Sequence, residues 1–375
     1  MNLLVLVQNY PSEFDPHSLK YVHTRNKYYS DLGINVLVLA FKATKEYVFE
    51  NISVTNFKLF NRKYDIKSFD AIVSHAPNLR NHLKFILFKG KSKKIIFFIH
   101  GHEVLRKSKY YPKPYPILTP KFFIIIKMIN NVYDYVKLVV LRKYFNTNLL
   151  TGKIKLIFVS EWMKNEFQNN VQIKTNLLEN NSAIIHNGVS SEFLNCNYEY
   201  SSQKGNTKII TIRPFDDPKY AVDLVIKAAV DNPHIEFHLF GKGQLFNFIK
   251  IPPNLKIIKK YISHQELPLL LNNFTAAFMP TRLDSQGVMM CEMATYGIPL
   301  ITSNLSICHE MFKDFPNVFY ISNNSPKILI EDFIQKISHI SKLNKDKFSF
   351  ENTILAEIKY FHQILYNSEF NCRNN

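Results

Sequence analysis

The sequence has few cysteines, few acidic residues relative to basic ones, and no long apolar run. Its four cysteines show no CxxC spacing, so neither a zinc knuckle nor a disulfide framework is indicated. No run approaches the roughly 20 apolar residues of a membrane-spanning helix. The N-terminal stretch MNLLVLVQNY lacks a basic region and is too short in its apolar part for a signal peptide. We therefore expect a soluble or peripheral protein of the reducing cytoplasm.

Basic residues are in excess: 47 Lys and Arg stand against 30 Asp and Glu, a net charge of +17. Anionic substrates, an anionic membrane and nucleic acid all remain open as partners. The excess is concentrated between Arg106 and Lys155, where eleven Lys or Arg accompany one acid, Asp134. In residues 106–148 these cations interleave with Tyr, Phe and Ile. This pattern predicts either a membrane-surface helix or a core helix with an ordinary basic outer face.

Short apolar strands alternate with helices along the whole chain, and 375 residues suffice for two domains. This alternation predicts doubly wound parallel sheets, restarting after a polar linker at Asn195–Lys208. A helix from His17 to Leu32 and closing helices at Pro326–Leu343 and Asn352–Tyr366 are also predicted. The predicted strands are Leu3–Val7, Ile34–Phe41, Ala71–Val73, Lys94–Ile99, Leu156–Val159, Ala183–Ile185, Ile209–Ile212, Ile235–Phe240, Leu255–Ile258 and Thr275–Met279.

The segment from Phe278 to Ser303 carries the most chemical information. Its pattern predicts a strand, a polar turn, a helix opened by Gly287 and closed by Gly297, and a further strand. The free N–H groups of Gly287, Val288 and Met289 are expected to bind an anion, which the helix dipole favours. Gly287 has no side chain, so a diphosphate could approach its backbone closely.

Two carboxylates flank this predicted anion site. Asp284 precedes the helix, and Glu292 lies about 7.5 Å along its axis from Gly287. A nucleotide sugar bound here would place ribose hydroxyls near Glu292 and hexose hydroxyls near Asp284, because carboxylates accept hydrogen bonds from hydroxyls. The alternative is that Asp284 caps the helix and Glu292 is an ordinary solvated residue.

The same segment resembles the E-x7-E region of the retaining, GT-B-fold glycosyltransferases of family 4 (glycosyl transferases group 1). Asp284 stands where that family usually has its first Glu. The residues in register are Pro280, Gly287, Glu292, Met293, Ala294, Gly297 and Pro299. The resemblance implies two Rossmann-like domains with an inter-domain cleft. Residues 1–200 would bind the acceptor, 201–349 the nucleotide sugar, and a final helix within 350–375 would cross back to the first domain.

By the same resemblance, Arg213 and Lys219 are expected to hold the donor diphosphate. His100 is expected to contact the transferred hexose and, with Asp284, to be catalytic. The sequence His100-Gly101-His102-Glu103 is also compatible with a plain loop or a metal site. The family's glycine-rich N-terminal loop is absent here. Further candidates for the site are His102, Gly241, Glu310, Ser12 and Glu13.

The expected activity is transfer of a hexose from a UDP-sugar or GDP-sugar to an acceptor hydroxyl, with retention of configuration. No metal or other cofactor is expected, because cations and a helix start replace it and no D-x-D follows a strand. The expected acceptor is a lipid-linked saccharide, and the expected role is in the assembly of a surface polysaccharide such as capsule or O-antigen. The enzyme would then be cytoplasmic or peripheral on the inner face of the cytoplasmic membrane, with no nucleic acid partner. The alternatives are a non-catalytic basic module that binds membrane or nucleic acid, and an inverting GT-B enzyme or epimerase.

Overall fold

The computed structural model describes residues 1–16, 18–199, 207–260, 262–336 and 343–366. Within these ranges the chain forms two compact units. The first contains residues 1–106, 131–188 and 350–366, and the second contains residues 107–130 and 189–349. The predicted boundary at residues 200 and 201 lies outside the described residues, as does part of the predicted linker.

The described residues of the first unit form an eight-stranded sheet in the order β3-β4-β2-β1-β5-β6-β7-β8. All neighbouring strands are parallel except β3 and β4. The central strands are buried along their length, which explains their nearly continuous apolar sequences. The strands are β1 (Asn2–Val7), β2 (Asn35–Ala40), β3 (Tyr47–Phe49), β4 (Ile52–Thr55), β5 (Ala71–His75), β6 (Lys94–Ile99), β7 (Ile154–Phe158) and β8 (Ser182–Ile184).

The described residues of the second unit form a six-stranded, fully parallel sheet in the order β11-β10-β9-β12-β13-β14. The chain first adds strands on one side of β9 and then continues from β12 on its other side. The carboxyl ends of β9 and β12 therefore meet at a topological switch point, where open α/β sheets bind ligands. The strands are β9 (Lys208–Ile212), β10 (Glu236–Phe240), β11 (Leu255–Ile258), β12 (Ala276–Met279), β13 (Leu300–Ser303) and β14 (Val318–Ile321).

Helices connect the strands in both units. Shorter helical turns of 3-10 or π geometry lie at Ile66–Ser68, Leu79–Leu83, Pro116–Leu118, Pro218–Tyr220, Leu245–Asn247 and Glu351–Leu355. The α-helices are α1 (Lys20–Asp31), α2 (Phe57–Lys63), α3 (Lys84–Phe88), α4 (Lys107–Tyr110), α5 (Phe123–Leu150), α6 (Glu161–Val171), α7 (Thr175–Glu179), α8 (Ser191–Asn195), α9 (Val222–Asp231), α10 (Leu267–Leu271), α11 (Val288–Tyr296), α12 (Ser306–Phe312), α13 (Glu331–Ile334) and α14 (Ala356–Leu365).

The predicted strands all occur, with ends that differ by a residue or two. The predicted helix Pro326–Leu343 is wrong over its first residues, because side chains of another helix take their backbone donors. Ile328 N donates to Asp231 Oδ2 at 2.9 Å and Ile330 N donates to Asn232 Oδ1 at 3.0 Å. Only α13 follows there, and residues 337–342 lie outside the described residues, as does His17 at the predicted start of the first helix.

The C-terminal helix α14 is tied to the first unit by a buried ion pair. Glu357 is fully buried and accepts a hydrogen bond from Arg25 Nε at 2.7 Å and another from the Tyr29 hydroxyl. The Arg25 guanidinium also donates to Asn187 Oδ1 at 2.6 Å and lies over the ring of Phe98. The two contacts of Glu357 join residues more than 300 positions apart in the sequence.

We expect Glu357→Ala to lower the free energy of unfolding by about 3–5 kcal/mol, because Arg25 would be left as a buried charge without its carboxylate. Urea unfolding followed by circular dichroism measures the loss. The matched control is Glu351→Ala, an exposed glutamate in the same terminal segment, which should change stability by less than about 0.5 kcal/mol. Equal effects of the two substitutions would contradict a structural role for the Arg25–Glu357 pair.

Candidate functional site

Arg213, directly after β9, places a buried cation at the switch point of the second sheet. Its backbone N–H donates to Phe240 O at 2.9 Å, and its side chain is only 5% exposed. Among the described residues, neither Nε nor Nη2 of its guanidinium has a hydrogen-bond partner. Burial lowers the pKa of Arg213, and the Asp284 carboxylate opposes this effect. A buried guanidinium with two unused donors is a strong candidate for binding an anion.

Tyr220 brings Arg213 and Lys219 together. Arg213 Cζ lies 5.2 Å and Lys219 Nζ lies 4.7 Å from the centre of the Tyr220 ring, so one aromatic ring contacts both cations. Burial acts to lower the pKa of Lys219, but Tyr220 and Asp217 outweigh it and the pKa is raised. Sequence reasoning paired the two cations correctly but missed Tyr220. The one signal was that a tyrosine stands where the resembled family has glycine.

Arg282 fixes the turn that carries Lys219. Its backbone N–H donates to Lys219 O at 2.7 Å, and its guanidinium donates to the two oxygens of Asp223 at 2.8 and 2.6 Å. The same guanidinium donates to Pro218 O at 3.0 Å, and Tyr115 donates to Asp223 at 3.0 Å. The loop after β9 and the loop after β12 are therefore held to each other on either side of the switch point.

The start of α11 differs from the open anion site that the sequence predicts. Gly287 has φ +74°, which favours glycine, but it is buried, while Val288 and Met289 are half-buried. A Cβ at Gly287 would lie 2.2 Å from Met290 Cε and 3.3 Å from Asp284 Oδ2. Any side chain at position 287 would therefore meet Met290 and Asp284, so this close packing requires a glycine.

Asp284 is partly engaged with its own backbone. Its Oδ1 accepts hydrogen bonds from Ser285 N at 2.8 Å and Gln286 N at 3.2 Å. Asp284 therefore does not cap α11, whose N-cap is Gly287 with no side-chain cap hydrogen bond; its Oδ1 closes the turn before the helix. Oδ2 faces Gly287, where it could accept a hydrogen bond from a ligand hydroxyl.

Glu292 is a buried acid within α11 rather than a solvated helix residue. It is 2% exposed, and its Oε1 lies 3.7 Å from His264 Nε2. Burial raises the pKa of Glu292, and His264 opposes the rise. Sequence reasoning missed His264, because nothing in the linear sequence links it to an acid 28 positions later. A buried carboxylate beside an imidazole suits the recognition of a ribose diol.

Two further candidates of the second unit have structural contacts. A Cβ at Gly241 would lie 1.9 Å from Arg213 O, so this glycine permits the close approach that positions Arg213. Glu310 lies on α12 and is half-buried, and its backbone carbonyl accepts from Lys347 Nζ at 2.7 Å.

In the first unit, the loop after β6 holds His100 and His102 in different environments. His100 Nε2 lies 3.2 Å from His75 Nδ1, and burial together with Arg25 lowers the pKa of His100 well below its usual value. The Glu103 carboxylate accepts from the backbone N–H groups of His100 and Gly101, whereas His102 is 66% exposed. Across the described residues, no group of three His, Cys, Asp or Glu side chains could hold a metal ion.

Ser12 and Glu13 line a cavity of about 510 Å³ beside the carboxyl ends of β1 and β2. Asp15, Lys42 and Lys45 also line it, so carboxylates and ammonium groups face one space. In place of a glycine-rich loop, Ser12 and Asp15 close a tight turn through reciprocal backbone hydrogen bonds of 3.1 and 3.2 Å. Such a lining offers both donors and acceptors to the hydroxyls of a saccharide.

Comparison with known proteins agrees with this arrangement. Residues 200–346 match the family model described as "Glycosyl transferases group 1". This region belongs to the glycosyl transferases group 1 family. It contains Arg213, Lys219, Tyr220, Asp284, Gly287 and Glu292.

Two curated proteins are similar to parts of this chain. One, named an uncharacterised glycosyltransferase of Methanocaldococcus jannaschii, is 26% identical over 59% of this chain and 63% of its own length. The other, an uncharacterised 41.2 kDa protein in the cps region of Klebsiella pneumoniae, is 25% identical over 38% of this chain and 42% of its own length. The chain therefore spans less than two thirds of either relative.

Solved structures show the fold of this chain. The crystal structure of Anabaena HepE in complex with UDP and glucose has a TM-score of 0.66 and covers 98% of this chain and 100% of that one, at 14% identity. The fold is the GT-B fold, in agreement with the sequence prediction of two Rossmann-like parallel α/β domains.

We expect Arg213→Met to lower the affinity for UDP or GDP by about 100-fold, because two charge-assisted hydrogen bonds to the diphosphate are lost. The ligand-free variant should be as stable as the wild type or more stable, since an unpaired buried charge is removed. Calorimetric titration and thermal unfolding measure the two quantities.

Arg282→Met is the matched comparison. It removes a cation that is already paired, so it should lower stability by leaving Asp223 without its partner. If Arg213→Met destabilised the protein as much as Arg282→Met and bound the nucleotide normally, the Arg213 guanidinium would be structural.

Proposed function

We propose that the protein is a glycosyltransferase that moves a hexose from a UDP-sugar or GDP-sugar to an acceptor hydroxyl. The observation that carries this proposal lies at the end of β9. There the buried Arg213 guanidinium has two donor nitrogens without a partner among the described residues, and it contacts the same tyrosine ring as Lys219. A leaving nucleoside diphosphate gains negative charge as the glycosidic bond breaks. Preorganised cations stabilise that charge.

The proposed donor lies across the start of α11. Its diphosphate takes the unused donors of Arg213 and the ammonium group of Lys219, next to the Gly287 backbone. The ribose hydroxyls donate to Glu292, which already lies beside His264. The hexose hydroxyls donate to Asp284 Oδ2. In this arrangement no side chain of the proposed donor site has to carry an unmatched charge.

The proposed reaction retains the anomeric configuration and uses no metal ion. The acceptor oxygen forms a bond to the anomeric carbon while the bond from that carbon to the diphosphate oxygen breaks on the same face. The acceptor proton passes to the leaving phosphate oxygen, so no protein base is required. His100 and Asp284 orient the hexose in this proposal. The neutral form of His100, favoured by its lowered pKa, can both donate and accept a hydrogen bond.

The proposed acceptor is a lipid-linked saccharide. The proposed reaction belongs to the assembly of a surface polysaccharide at the inner face of the cytoplasmic membrane. The polar cavity at Ser12 and Glu13 supports a saccharide. The relative named for a cps region supports the biological setting.

A panel of UDP- and GDP-sugars, tested in the presence of EDTA, examines this function. We expect one donor to raise the melting temperature and to be transferred or slowly hydrolysed, with release of the nucleoside diphosphate. Product NMR then gives the anomeric configuration, and a β-product from an α-donor would identify an inverting enzyme. No shift with any nucleotide, together with a shift on DNA or anionic vesicles, would favour a non-catalytic basic module.

The proposed ribose contact predicts a pH dependence. Only the ionised Glu292 accepts fully from the ribose hydroxyls, and burial raises its pKa. Affinity for the nucleotide sugar should therefore be complete above that pKa and fall as the pH is lowered through it, at higher pH than for an ordinary carboxyl. The esterified diphosphate stays ionised over this range and adds no titration of its own. Calorimetric titration across the weakly acidic range measures the effect.

Glu292→Gln should bind the nucleotide sugar about 10-fold more weakly at neutral pH and lose most of this pH dependence. Glu331→Gln, an exposed glutamate of the same unit, should bind like the wild type. An unchanged pH profile in Glu292→Gln would assign the titration to another group.

His100 gives a second prediction, one that separates binding from turnover. His100→Ala should lower kcat by about 100-fold or more, in the range of a lost hydrogen bond to the reacting sugar. It should leave the affinity for UDP or GDP unchanged, because the groups proposed to hold the nucleotide belong to the second unit. Steady-state kinetics and calorimetry measure the two effects, and His102→Ala is the control. Weaker nucleotide binding with unchanged kcat would contradict the proposed role.

A further inference from the structure

Helix α5 exposes a long row of apolar side chains and buries two charged ones. It contains 28 residues, which is about 42 Å of helix. One stripe at helical spacing consists of Ile125, Met128, Ile129, Val132, Val136 and Val139, and all six are between 46% and 65% exposed. We call these six residues the α5 stripe. Further exposed apolar residues flank it, among them Ile124 and Tyr135, so the apolar arc covers more than half of the helix circumference.

The opposite face of α5 is buried against the protein and holds two charged residues together with the apolar residues Leu138, Leu141, Phe145 and Leu149. Asp134 and Lys137 are 3% and 6% exposed, and Lys137 Nζ lies 2.7 Å from Asp134 Oδ1. A water-facing helix buries its apolar residues and exposes its charged ones. Here a charged pair is buried at a desolvation cost while isoleucines and valines are exposed. The distribution is that of a helix whose outer side is not in water.

The exposed charges around the stripe have one sign. Lys113, Lys121, Lys127 and Lys143 are all exposed, and they precede, accompany or follow the stripe. Between Glu103 and Glu161 the only acidic residue is Asp134, which is buried against Lys137. Exposed apolar side chains surrounded by lysines complement an anionic lipid surface, where acyl chains take the apolar groups and headgroups take the ammonium groups.

We propose that the α5 stripe and its flanking lysines dock the protein on an anionic lipid surface, with α5 lying in the plane of the interface. An in-plane position is required because every helix in the described part of the chain is too short or too polar to cross a bilayer. The wide apolar arc favours lipid over a second copy of the chain, since a helix pair buries one narrow stripe. This docking does not depend on the proposed transferase reaction.

Co-sedimentation of the full chain with vesicles tests the docking surface. The probes are vesicles of phosphatidylcholine alone and vesicles that also contain phosphatidylglycerol. We expect binding to the anionic vesicles, with weakening by salt. The triple variant Ile125→Glu, Ile129→Glu, Val132→Glu should lose this binding. The control variant Val230→Glu, Leu269→Glu changes exposed apolar residues elsewhere and should bind like the wild type.

A second variant separates charge from apolar contact. Replacing Lys121, Lys127 and Lys143 by Gln should lower affinity for the anionic vesicles on the order of 100-fold, from about one kcal/mol for each lysine. Binding of UDP or GDP and circular dichroism report whether each variant is folded, so loss of docking is distinguishable from failure of the proposed function.

Two outcomes would overturn the docking surface. One is that the wild-type protein does not bind anionic vesicles, or that the stripe variant binds them as strongly as the wild type does. The other is a stripe variant that changes only the oligomeric state in sedimentation, which would assign α5 to an interface between copies of the chain.

Discussion

The buried guanidinium of Arg213 is the interaction on which the rest of the second unit's site depends. Removing a cation from water costs several kcal/mol unless partners replace the lost hydration. Asp284 and the Tyr220 ring supply part of that replacement, and two donor nitrogens remain without a partner in the described residues. Under the proposed function the missing partner is the diphosphate. The ligand-free protein then carries a stored electrostatic cost that nucleotide binding removes.

The surrounding loops hold this charge in place. Phe240 O fixes the Arg213 backbone from the neighbouring strand, and only a glycine at position 241 lets the two loops approach so closely. On the other side, Arg282 joins the Lys219 turn to the segment that leads into α11. The two cations and the segment that leads into α11 are therefore held together by backbone and side-chain hydrogen bonds.

The sequence predicted the sheet of each unit well because buried parallel strands are continuous apolar runs. It missed β3, β4 and β14, which are only three or four residues long. It also predicted a helix through Pro326 and Ile328, where the Asp231 and Asn232 side chains accept hydrogen bonds from the backbone. Of the site, the local motif from Asp284 to Glu292 could be predicted, as could the pair Arg213 and Lys219.

The groups that sequence reasoning missed come from distant loops. Tyr220 matters because it lies between two cations, and His264 because it lies beside Glu292. Neither property is visible in local spacing. The close packing of Met290 against Gly287 was missed for a different reason, since helix patterns predict backbone direction and not side-chain rotamers. Anion binding at the start of α11 stays a prediction.

Asp284 stands where the resembled family usually has glutamate, and its side chain is shorter by one methylene. As the shorter acid, it bonds through Oδ1 to the N–H groups of Ser285 and Gln286 and still presents Oδ2 at Gly287. In the ligand-free state its charge faces both the α11 dipole and Arg213, so it occupies the electrostatic place of an anion. Under the proposed function, a diphosphate would add negative charge beside it. Arg213 alone would not balance both groups, and Lys219, on the same ring of Tyr220, would supply the second positive charge.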